Sequence, residues 1–403
     1  MAFYQDPPRL TNTYTHDRVL RGYLQRHLPP AVLADIEPEL VRMGAAAVGE
    51  LLELSNRHRV DTPVHVPFDA WGRRIDVVRV SEAWRTFARV AAQSGLVAIP
   101  YERRHGPASR LHQMALVYLF HPSTQVYSCP LAMTDGCART LGLLAEPALR
   151  DRVVPRLTGR DPTLAWTSGQ WMTERPGGSD VGLTETVARR GDGGWRLWGD
   201  KWFTSSVTSE VALTLARPEG NGPGGKGLAL FLVELRDAEG HLQNILVNRL
   251  KDKLGTRHLP TAELTLAGTP AHLVTAPQDG VRHMSTMLNV TRTWNAVSSV
   301  SGARRALAWA RDYARRRIAF GAPLADKPLH LETLAQLAAE QEAAFYLTFT
   351  SVRLLGEEEA GTLAGDAWRI LRLLQPLAKL YTARLAVQHA SEVLEAFGGA
   401  GYV

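Results

Sequence analysis

The spacing of apolar residues changes twice along this chain, and that change constrains the fold more than any other feature. Apolar residues three and four positions apart indicate helices from residue 31 to about residue 157. Short alternating runs, among them Gly194–Ser205 and Val211–Ala216, then indicate strands. From residue 281 onward the spacing is helical again. This order predicts a multidomain α+β protein, with a middle antiparallel β-domain between an N-terminal helical domain and a C-terminal helical bundle.

The changes of period divide the chain into four expected segments, which are residues 1–30, 31–157, 158–280 and 281–403. The first segment is polar and contains Pro7-Pro8 and Pro29-Pro30, so we expect an extended arm. Within the second segment, residues 60–79 contain two prolines and a glycine and are expected to form a loop. Long helices are expected in the last segment, at residues 284–318, 329–355 and 367–397.

Composition narrows the class of protein without identifying it. A chain of 403 residues exceeds one ordinary hydrophobic core, so two or three domains are expected. No apolar run is long enough to cross a bilayer, and no secretory signal begins the chain, so we expect a cytoplasmic protein. The two cysteines, Cys129 and Cys137, form neither a metal-binding spacing nor a disulfide framework. The net charge of +6 suits anionic ligands, but it does not choose among nucleotides, acyl-thioester carriers and nucleic acid.

One stretch, Gly169–Val181, combines three glycines, a proline and several hydroxyl and carboxylate side chains. Glycine lets a backbone pass close to a ligand, and the amide groups of turns bind anions. The stretch is either a loop that cradles a cofactor or a surface turn between two strands. Its place, where the first helical domain meets the β-domain, favours the cofactor interpretation because ligands bind in clefts between domains.

Four stretches agree in order and spacing with one protein family. They are Met172-Thr173-Glu174 with Gly178-Ser179-Asp180, Gly199–Ser205, Arg317–Gly321 and Glu395–Tyr402. The chain resembles the acyl-CoA dehydrogenases, which are flavoproteins with this helical–β–helical order. Within that family it is most similar to the AidB-type branch, named for an alkylation-response flavoprotein. The features of that branch are Met172–Val181, Arg249–Gly255, Phe320–Leu324 with Pro328, and Gly72–Arg79.

The resemblance implies that FAD is the cofactor and that the glycine-rich stretch holds it. The backbone from Gln170 through Met172 to Thr173 is expected to meet the pyrimidine edge of the flavin ring. Thr173 is expected to hydrogen-bond the ring, and Ser179 to reach the pyrophosphate. Fixed donors at this edge stabilise the negative charge of a reduced flavin.

Two registers are open for the second stretch. Without a gap, Phe203 lies against the flavin face and Ser205 lies near N5. With a one-residue gap, Trp202 and Thr204 take those places. Residues two apart share a face of a strand, so the alternatives are two whole faces. We favour Phe203 and Ser205, with Trp202 packed in the core as the simpler interpretation of that side chain.

The third and fourth stretches are expected to serve a neighbouring subunit. By resemblance, Arg317 binds the FAD diphosphate of that subunit, since a guanidinium suits bidentate phosphate contact, and Phe320 packs by the adenine. The Gly398-Gly399 turn would let backbone approach the same cofactor, although a glycine turn that caps a helix is an equally simple interpretation. A shared site implies a homo-oligomer, in this family usually a tetramer built as a dimer of dimers.

The family reaction removes the α-proton of an acyl-CoA, or a related acyl-thioester, while the β-hydride goes to flavin N5. The base is a glutamate that usually follows the Gly-Gly-x-Gly-Tyr turn, and here it is expected beyond Val403. The alternative position, just before the active-site Arg292, holds Thr291. Arg292 is expected to support the catalytic carboxylate. We therefore expect this chain to be C-terminally incomplete, without normal dehydrogenase turnover as written. The acyl chain length and the electron acceptor cannot be read from the sequence.

Two other functions remain open. The first is an AidB-type flavoprotein that binds DNA in the alkylation response, for which Arg304, Arg311 and Arg315 line one side of a helix. Such a row is more often a solvated or subunit-facing surface, and the positive charge of the chain is diffuse. The second is a biosynthetic flavoprotein that acts on a carrier-bound acyl chain.

Overall fold

The computed structural model describes residues 5–403, and the expected order of helical, β and helical segments is confirmed. The helices are α1 Arg18–His27, α2 Pro30–Ala46, α3 Glu50–Arg57, α4 Glu82–Gln93, α5 Ile99–Glu102, α6 Ala108–Phe120, α7 Ser128–Leu144, α8 Pro147–Leu157, α9 Gly280–Arg316, α10 Pro328–Glu359, α11 Ala367–Ala396 and α12 Gly399–Tyr402. The strands are β1 Val64–Phe68, β2 Arg74–Arg79, β3 Ser168–Trp171, β4 Val187–Gly191, β5 Gly194–Ser205, β6 Val211–Pro218, β7 Ala229–Glu234, β8 Ile245–Leu250, β9 Thr261–Leu273, β10 Ile318–Ala319 and β11 Ala322–Pro323.

The chain separates into two compact units, and each takes several segments of the sequence. The helical unit contains the described residues up to Arg57 together with Glu102–Thr124 and Arg292–Val403. The β-unit contains His58–Tyr101 and Gln125–Thr291. The four segment bounds expected from the sequence stay a prediction. None of the helices in the described part of the chain is long and apolar enough to span a membrane.

Helix α6 lies at the centre of the helical unit, where it packs against α2 and α10, and α10 packs against α11. From Ser109 to Phe120 every residue of α6 is buried. An aromatic cluster joins it to its neighbours: the Tyr118 ring meets those of Phe345 and Phe349 edge-on, and the latter two stack with centroids 4.2 Å apart. Such pairs add to the free energy gained by burying the rings.

The expected extended arm is wrong for residues 18–27, which form helix α1. The Asp17 carboxylate caps this helix by accepting the amides of Val19 and Leu20 at 3.0 and 3.1 Å. Val19, Leu20, Tyr23 and Leu24 are buried along one face. The acidic cap and the four-residue apolar spacing were the signals of a helix, and the proline pairs only bracket it.

Residues 64–79 form a β-hairpin rather than the expected loop. Strands β1 and β2 pair from Val64 opposite Arg79, and Pro67 lies where the register shifts, a position at which a strand tolerates a missing amide donor. The Asp69 carboxylate accepts the amides of Trp71 and Arg73, which closes the turn. Proline therefore marked a bulge here and not the absence of a strand.

The seven-stranded sheet of the β-unit closes on itself in the order β6–β4–β5–β9–β7–β6, with β3 added beside β6 and β8 beside β9. Most pairs are antiparallel as expected, but β3 and β4 run parallel to β6, which corrects the purely antiparallel expectation. The two faces of β6 alternate between two apolar clusters. Ala212 and Ala216 pack inside the closed sheet, whereas Leu213 and Leu215 pack with α7, α8 and the first turns of α9.

Candidate functional site

The glycine-rich stretch begins in strand β3 and leaves it as an ordered loop. Glu174 and Gly177 exchange backbone hydrogen bonds of 3.1 and 3.3 Å, which makes a tight turn around Pro176. After that turn, Asp180 caps a short 3₁₀ helix by accepting the amide of Gly182 at 2.9 Å. The loop therefore has two internally bonded ends, with Gly178 and Ser179 exposed between them.

A buried ion pair anchors this loop to strand β5. The Lys201 ammonium lies 2.6 Å from a Glu174 carboxylate oxygen and also donates to the Leu215 carbonyl at 2.8 Å. Glu174 further accepts the Thr186 hydroxyl at 2.6 Å and the Glu185 amide at 2.6 Å. Burial lowers the pKa of Lys201, and the adjacent carboxylate opposes that shift. The pair is fully enclosed, so it holds the loop at one position relative to the strand.

The first two stretches named by the sequence come together in the β-unit. The Thr173 carbonyl accepts the amide of Trp202 at 2.9 Å, which places the loop beside the end of β5. Among the described residues, the hydroxyls of Thr173 and Ser179 have no hydrogen-bond partner. Gln170 and Met172 are half-buried in the same run. The unused Thr173 hydroxyl therefore lies on the segment that meets the end of the strand.

The two registers proposed for β5 have different environments. A bulge between Lys201 and Thr204 breaks the strict alternation. Thr204 is completely buried, and its hydroxyl donates to the Ala262 carbonyl at 2.7 Å. Phe203 is 53% exposed, and the Ser205 hydroxyl lies 3.1 Å from that of Thr261. The Phe203 and Ser205 face is accessible to a ligand, whereas Thr204 is committed to the core.

Two cationic side chains make cation–π contacts with the Trp202 ring. Its centroid lies 3.4 Å from the Lys251 ammonium and 5.3 Å from the Arg175 guanidinium carbon. Lys251 is in turn held by Glu263 at 2.6 Å. The Lys251 ammonium also lies 4.7 Å from the centroid of Phe203, so cation–π contacts alone do not choose between the two registers.

Four polar residues of this region escaped the sequence interpretation. Glu174 and Lys201 were seen only as members of their motifs, although a lone lysine inside an alternating apolar strand requires an acidic partner. Lys253 and Thr261 complete the surroundings of Ser205, because the Lys253 ammonium donates to the Thr261 hydroxyl at 3.0 Å. Burial lowers the pKa of Lys253. Lys253 was likewise seen only as a member of the Arg249–Gly255 motif, and its contact with Thr261 depends on the pairing of distant strands.

In the helical unit, Arg317 directly follows α9 and leads into the small hairpin of β10 and β11. The two turn residues, Phe320 and Gly321, have φ values of +52° and +76°, as a type I′ turn requires. The Phe320 ring at the tip is 96% exposed. The Lys327 ammonium holds the turn by donating to the Phe320 carbonyl at 3.0 Å. The turn thus holds a large aromatic side chain at a fixed position, where almost all of its surface is exposed.

The glycine turn at the end of α11 lies near this hairpin. Gly398 has a φ of +61°, and its amide donates to the Glu395 carbonyl at 2.8 Å, so it ends α11 as a helix cap. Gly399 begins the final helical turn. Tyr313 connects the hairpin to the glycine turn, because its carbonyl accepts the Arg317 amide at 2.8 Å and its ring lies 4.7 Å from that of Phe397.

Arg292, the remaining site residue expected from the sequence, is not part of this group. It lies near the start of α9 and is half-buried.

Family models match nearly the whole chain. The AidB N-terminal domain matches residues 5–161, the acyl-CoA dehydrogenase middle domain residues 169–269, and the acyl-CoA dehydrogenase C-terminal domain residues 278–403. The chain belongs to the acyl-CoA dehydrogenase family, in its AidB-type branch.

Named relatives agree with this assignment. The chain is 42% identical to "Acyl-CoA dehydrogenase family member 11" of Caenorhabditis elegans over 100% of its own length and 67% of the relative's. It is 31% identical to "Putative acyl-CoA dehydrogenase AidB" of Escherichia coli over 88% of its length and 65% of the relative's. The chain thus spans about two thirds of the length of these curated relatives.

Two solved structures superpose closely on the whole chain. The C. elegans ACDH-11 structure in complex with C11-CoA has a TM-score of 0.97 at 42% identity, covering 100% of this chain and 69% of that one. The structure "Bd2924 apo-form" has a TM-score of 0.97 at 48% identity, covering 100% of this chain and 81% of that one. The fold of this chain is therefore that of a relative seen with an acyl-CoA.

Proposed function

We propose that this protein holds FAD against strand β5 and acts on an acyl-CoA or a related acyl-thioester by α,β-dehydrogenation. The observation that carries the proposal is the backbone hydrogen bond from Trp202 to Thr173, which sets the unused Thr173 hydroxyl beside the end of β5 that carries the exposed Phe203 ring. The similarity to a relative solved with C11-CoA supports the class of substrate. Both cysteines are free thiols, in keeping with a reducing cytoplasmic location.

The residues present fit a flavin. The partnerless hydroxyls of Thr173 and Ser179 are neutral hydrogen-bonding groups, suited to the edge of a ring and to a phosphate oxygen. A Cβ atom added at Gly178 would lie 2.9 Å from the Thr173 methyl carbon, so the bare glycine leaves the loop close against that side chain. The 53% exposed Phe203 provides an apolar face for a planar ring.

Each residue has a positioning role in this proposal. Thr173 and the backbone from Gln170 orient the pyrimidine edge, and Ser179 takes the pyrophosphate. Phe203 covers one face of the ring and excludes water from it, while Ser205 lies near N5, linked through Thr261 to Lys253. When bound, the flavin supplies the acceptor for the substrate hydride.

The acid–base group stays a prediction, with Arg292 proposed to support the catalytic carboxylate. To test function, we would load the 403-residue chain with FAD and mix it anaerobically with isovaleryl-CoA and longer acyl-CoAs. We expect saturable changes in the flavin absorption band without bleaching at an enzyme-like rate. Rapid bleaching would mean that a base within this chain acts on the substrate, against the prediction of its position. An acyl-CoA without any effect on bound flavin would contradict the proposed substrate class.

We also propose that the protein is a homo-oligomer that shares its cofactor sites between subunits. The surface of α11 carries an apolar seam, Leu373, Leu380, Val387 and Leu394, with exposures between 55% and 72%. Its members are seven residues apart, the spacing with which helices pack against one another. Large exposed apolar patches of this kind mark interfaces. A second copy of the chain is the proposed occupant, and Arg317 and Phe320 would then reach its FAD.

Replacing Leu373 and Leu380 by glutamate is expected to dissociate the oligomer, because charges would be buried in the seam. Sedimentation velocity should show a smaller species, and FAD should bind more than about tenfold more weakly, since losing a charge-assisted phosphate contact costs about that much. Replacing the exposed Glu392 by glutamine is the control on the same helix. A variant that becomes monomeric with unchanged FAD affinity would contradict the shared site.

The DNA-binding alternative gains no specific support. Arg304 is paired with Asp17 at 3.1 Å, so the expected row of three arginines is not a uniformly available surface. No second function is proposed for the chain.

A further inference from the structure

A cavity of about 440 Å³ lies in the helical unit, between α9 and the segment that precedes and begins α1. On α9 its wall is a stripe at alternating three- and four-residue spacing, formed by Ser301, Arg304, Ala308, Arg311 and Arg315. Six arginines line this cavity together with two aspartates. None of the flavin-site residues named above belongs to it. We call it the arginine cavity.

The aspartates of the arginine cavity are already engaged. Asp17 accepts the Tyr118 hydroxyl at 2.9 Å, the Arg304 guanidinium at 3.1 Å and the first amides of α1. Asp312 accepts the backbone amide of Arg9 at 2.9 Å and the Arg316 guanidinium. Neither carboxylate is therefore available to neutralise the other arginines.

Three of the arginines, Arg305, Arg311 and Arg315, have no acidic partner among the described residues. Arg18 is paired with Glu342 at 3.0 Å, and Arg305 donates to the Ser123 hydroxyl at 2.9 Å. By contrast, Arg311 and Arg315 make no ion pair or hydrogen bond with any residue that the structure describes. The pKa of Arg311 is lowered by burial first and then by Arg304, Arg315 and Arg18, and Glu342 opposes this shift least of all these influences, which indicates crowded like charges that are only partly compensated.

We propose that the arginine cavity binds a small oligoanion of the diphosphate type, such as the phosphate groups of a nucleotide, as a ligand site separate from the flavin site. Arg311 and Arg315 lie one helical turn apart on the same face, so together they suit two adjacent charged groups better than one. The cavity volume falls within the range of small-molecule sites. A concave site of this size excludes a DNA duplex, which distinguishes the proposal from a nucleic-acid surface.

The test is isothermal titration of the FAD-loaded protein with inorganic pyrophosphate at low ionic strength. FAD occupies its own diphosphate contacts in this form, which leaves the arginine cavity as the site to be filled. We expect one saturable site per chain, weakened by added salt. In the double variant Arg311→Gln with Arg315→Gln, binding should weaken at least about 100-fold, since each arginine contributes a charge-assisted hydrogen bond.

The control double variant, Arg89→Gln with Arg190→Gln, removes two exposed arginines of the β-unit and the same net charge. It should bind pyrophosphate like the parent protein. Unchanged circular dichroism and melting of both variants would show that the fold is intact. Equal weakening in both variants would overturn the proposal in favour of diffuse charge. Absence of saturable binding, a changed oligomeric state in the first variant, or binding of a short DNA duplex in place of pyrophosphate would overturn it as well.

Discussion

Replacing Lys201 by methionine is expected to lower the free energy of unfolding by about 3–5 kcal/mol. The substitution keeps the length of the side chain but leaves the Glu174 carboxylate buried without its cation. The Glu174 side chain is only 2% exposed, so water cannot replace the ammonium group 2.6 Å away. Urea denaturation followed by tryptophan fluorescence would measure the loss, because several tryptophans lie in the β-unit.

The same substitution should reach the flavin site, since Glu174 holds the loop that carries Thr173. FAD affinity is expected to fall together with stability. Adding Glu174→Gln to Lys201→Met should recover part of the loss, because the amide still accepts the Thr186 hydroxyl and no charge remains buried. Lys226→Met, at an exposed lysine, should change stability by less than about 0.5 kcal/mol. A Lys201→Met variant as stable as the parent would show that the pair does not anchor the loop.

The second large effect is expected at Arg110, which joins α6 to α10 in the helical unit. Its guanidinium makes two hydrogen bonds to the Glu359 carboxylate, of 2.9 and 2.6 Å, and a third to Gln113 at 2.7 Å. The side chains of Arg110 and Glu359 are only 1% and 7% exposed. Arg110→Met should therefore lower the free energy of unfolding by about 3–5 kcal/mol, as expected for breaking a buried pair from one side.

Far-ultraviolet circular dichroism during urea denaturation would follow this loss, because it reports mainly on the helices. The matched control is Arg150→Met, which removes an exposed ion pair with Asp151 and should leave the midpoint nearly unchanged. The double variant Arg110→Met with Glu359→Gln should be more stable than Arg110→Met alone. If the two single arginine variants were equally stable, the buried pair would not be a main connection between α6 and α10.

The order of helices and strands could be predicted from the sequence because the spacing of apolar residues is a local property of the chain. The three long helices α9, α10 and α11 lie within a few residues of their expected bounds. Helix α1 was missed because two proline pairs outweighed a short amphipathic pattern. The hairpin of β1 and β2 was missed because Pro67 was taken as a sign of a loop, whereas in the structure it lies at a bulge.

The candidate site shows the same difference between features set by local sequence and features set by distant contacts. Motif residues such as Thr173 and Phe203 could be named in advance, and their roles at a flavin stay predictions. The Glu174–Lys201 pair could not be assigned, because its members are 27 residues apart and meet only through the path of the sheet. The bulge at β5 depends on pairing with β9, so the burial of Thr204 and the exposure of Phe203 could not be read from the strand pattern alone, and the preference for Phe203 and Ser205 at the flavin stays a prediction.

The measurement closest to the central claim is titration of FAD into the cofactor-free protein, compared with the Phe203→Ala and Trp198→Ala variants. The proposal predicts one FAD per chain, with binding weakened about five- to 150-fold by Phe203→Ala, since an aromatic contact with a planar ring contributes about 1–3 kcal/mol. Trp198 lies on the same strand and should not affect affinity. Failure to bind FAD, or equal loss in both variants, would contradict the claim that the exposed face of β5 holds the flavin.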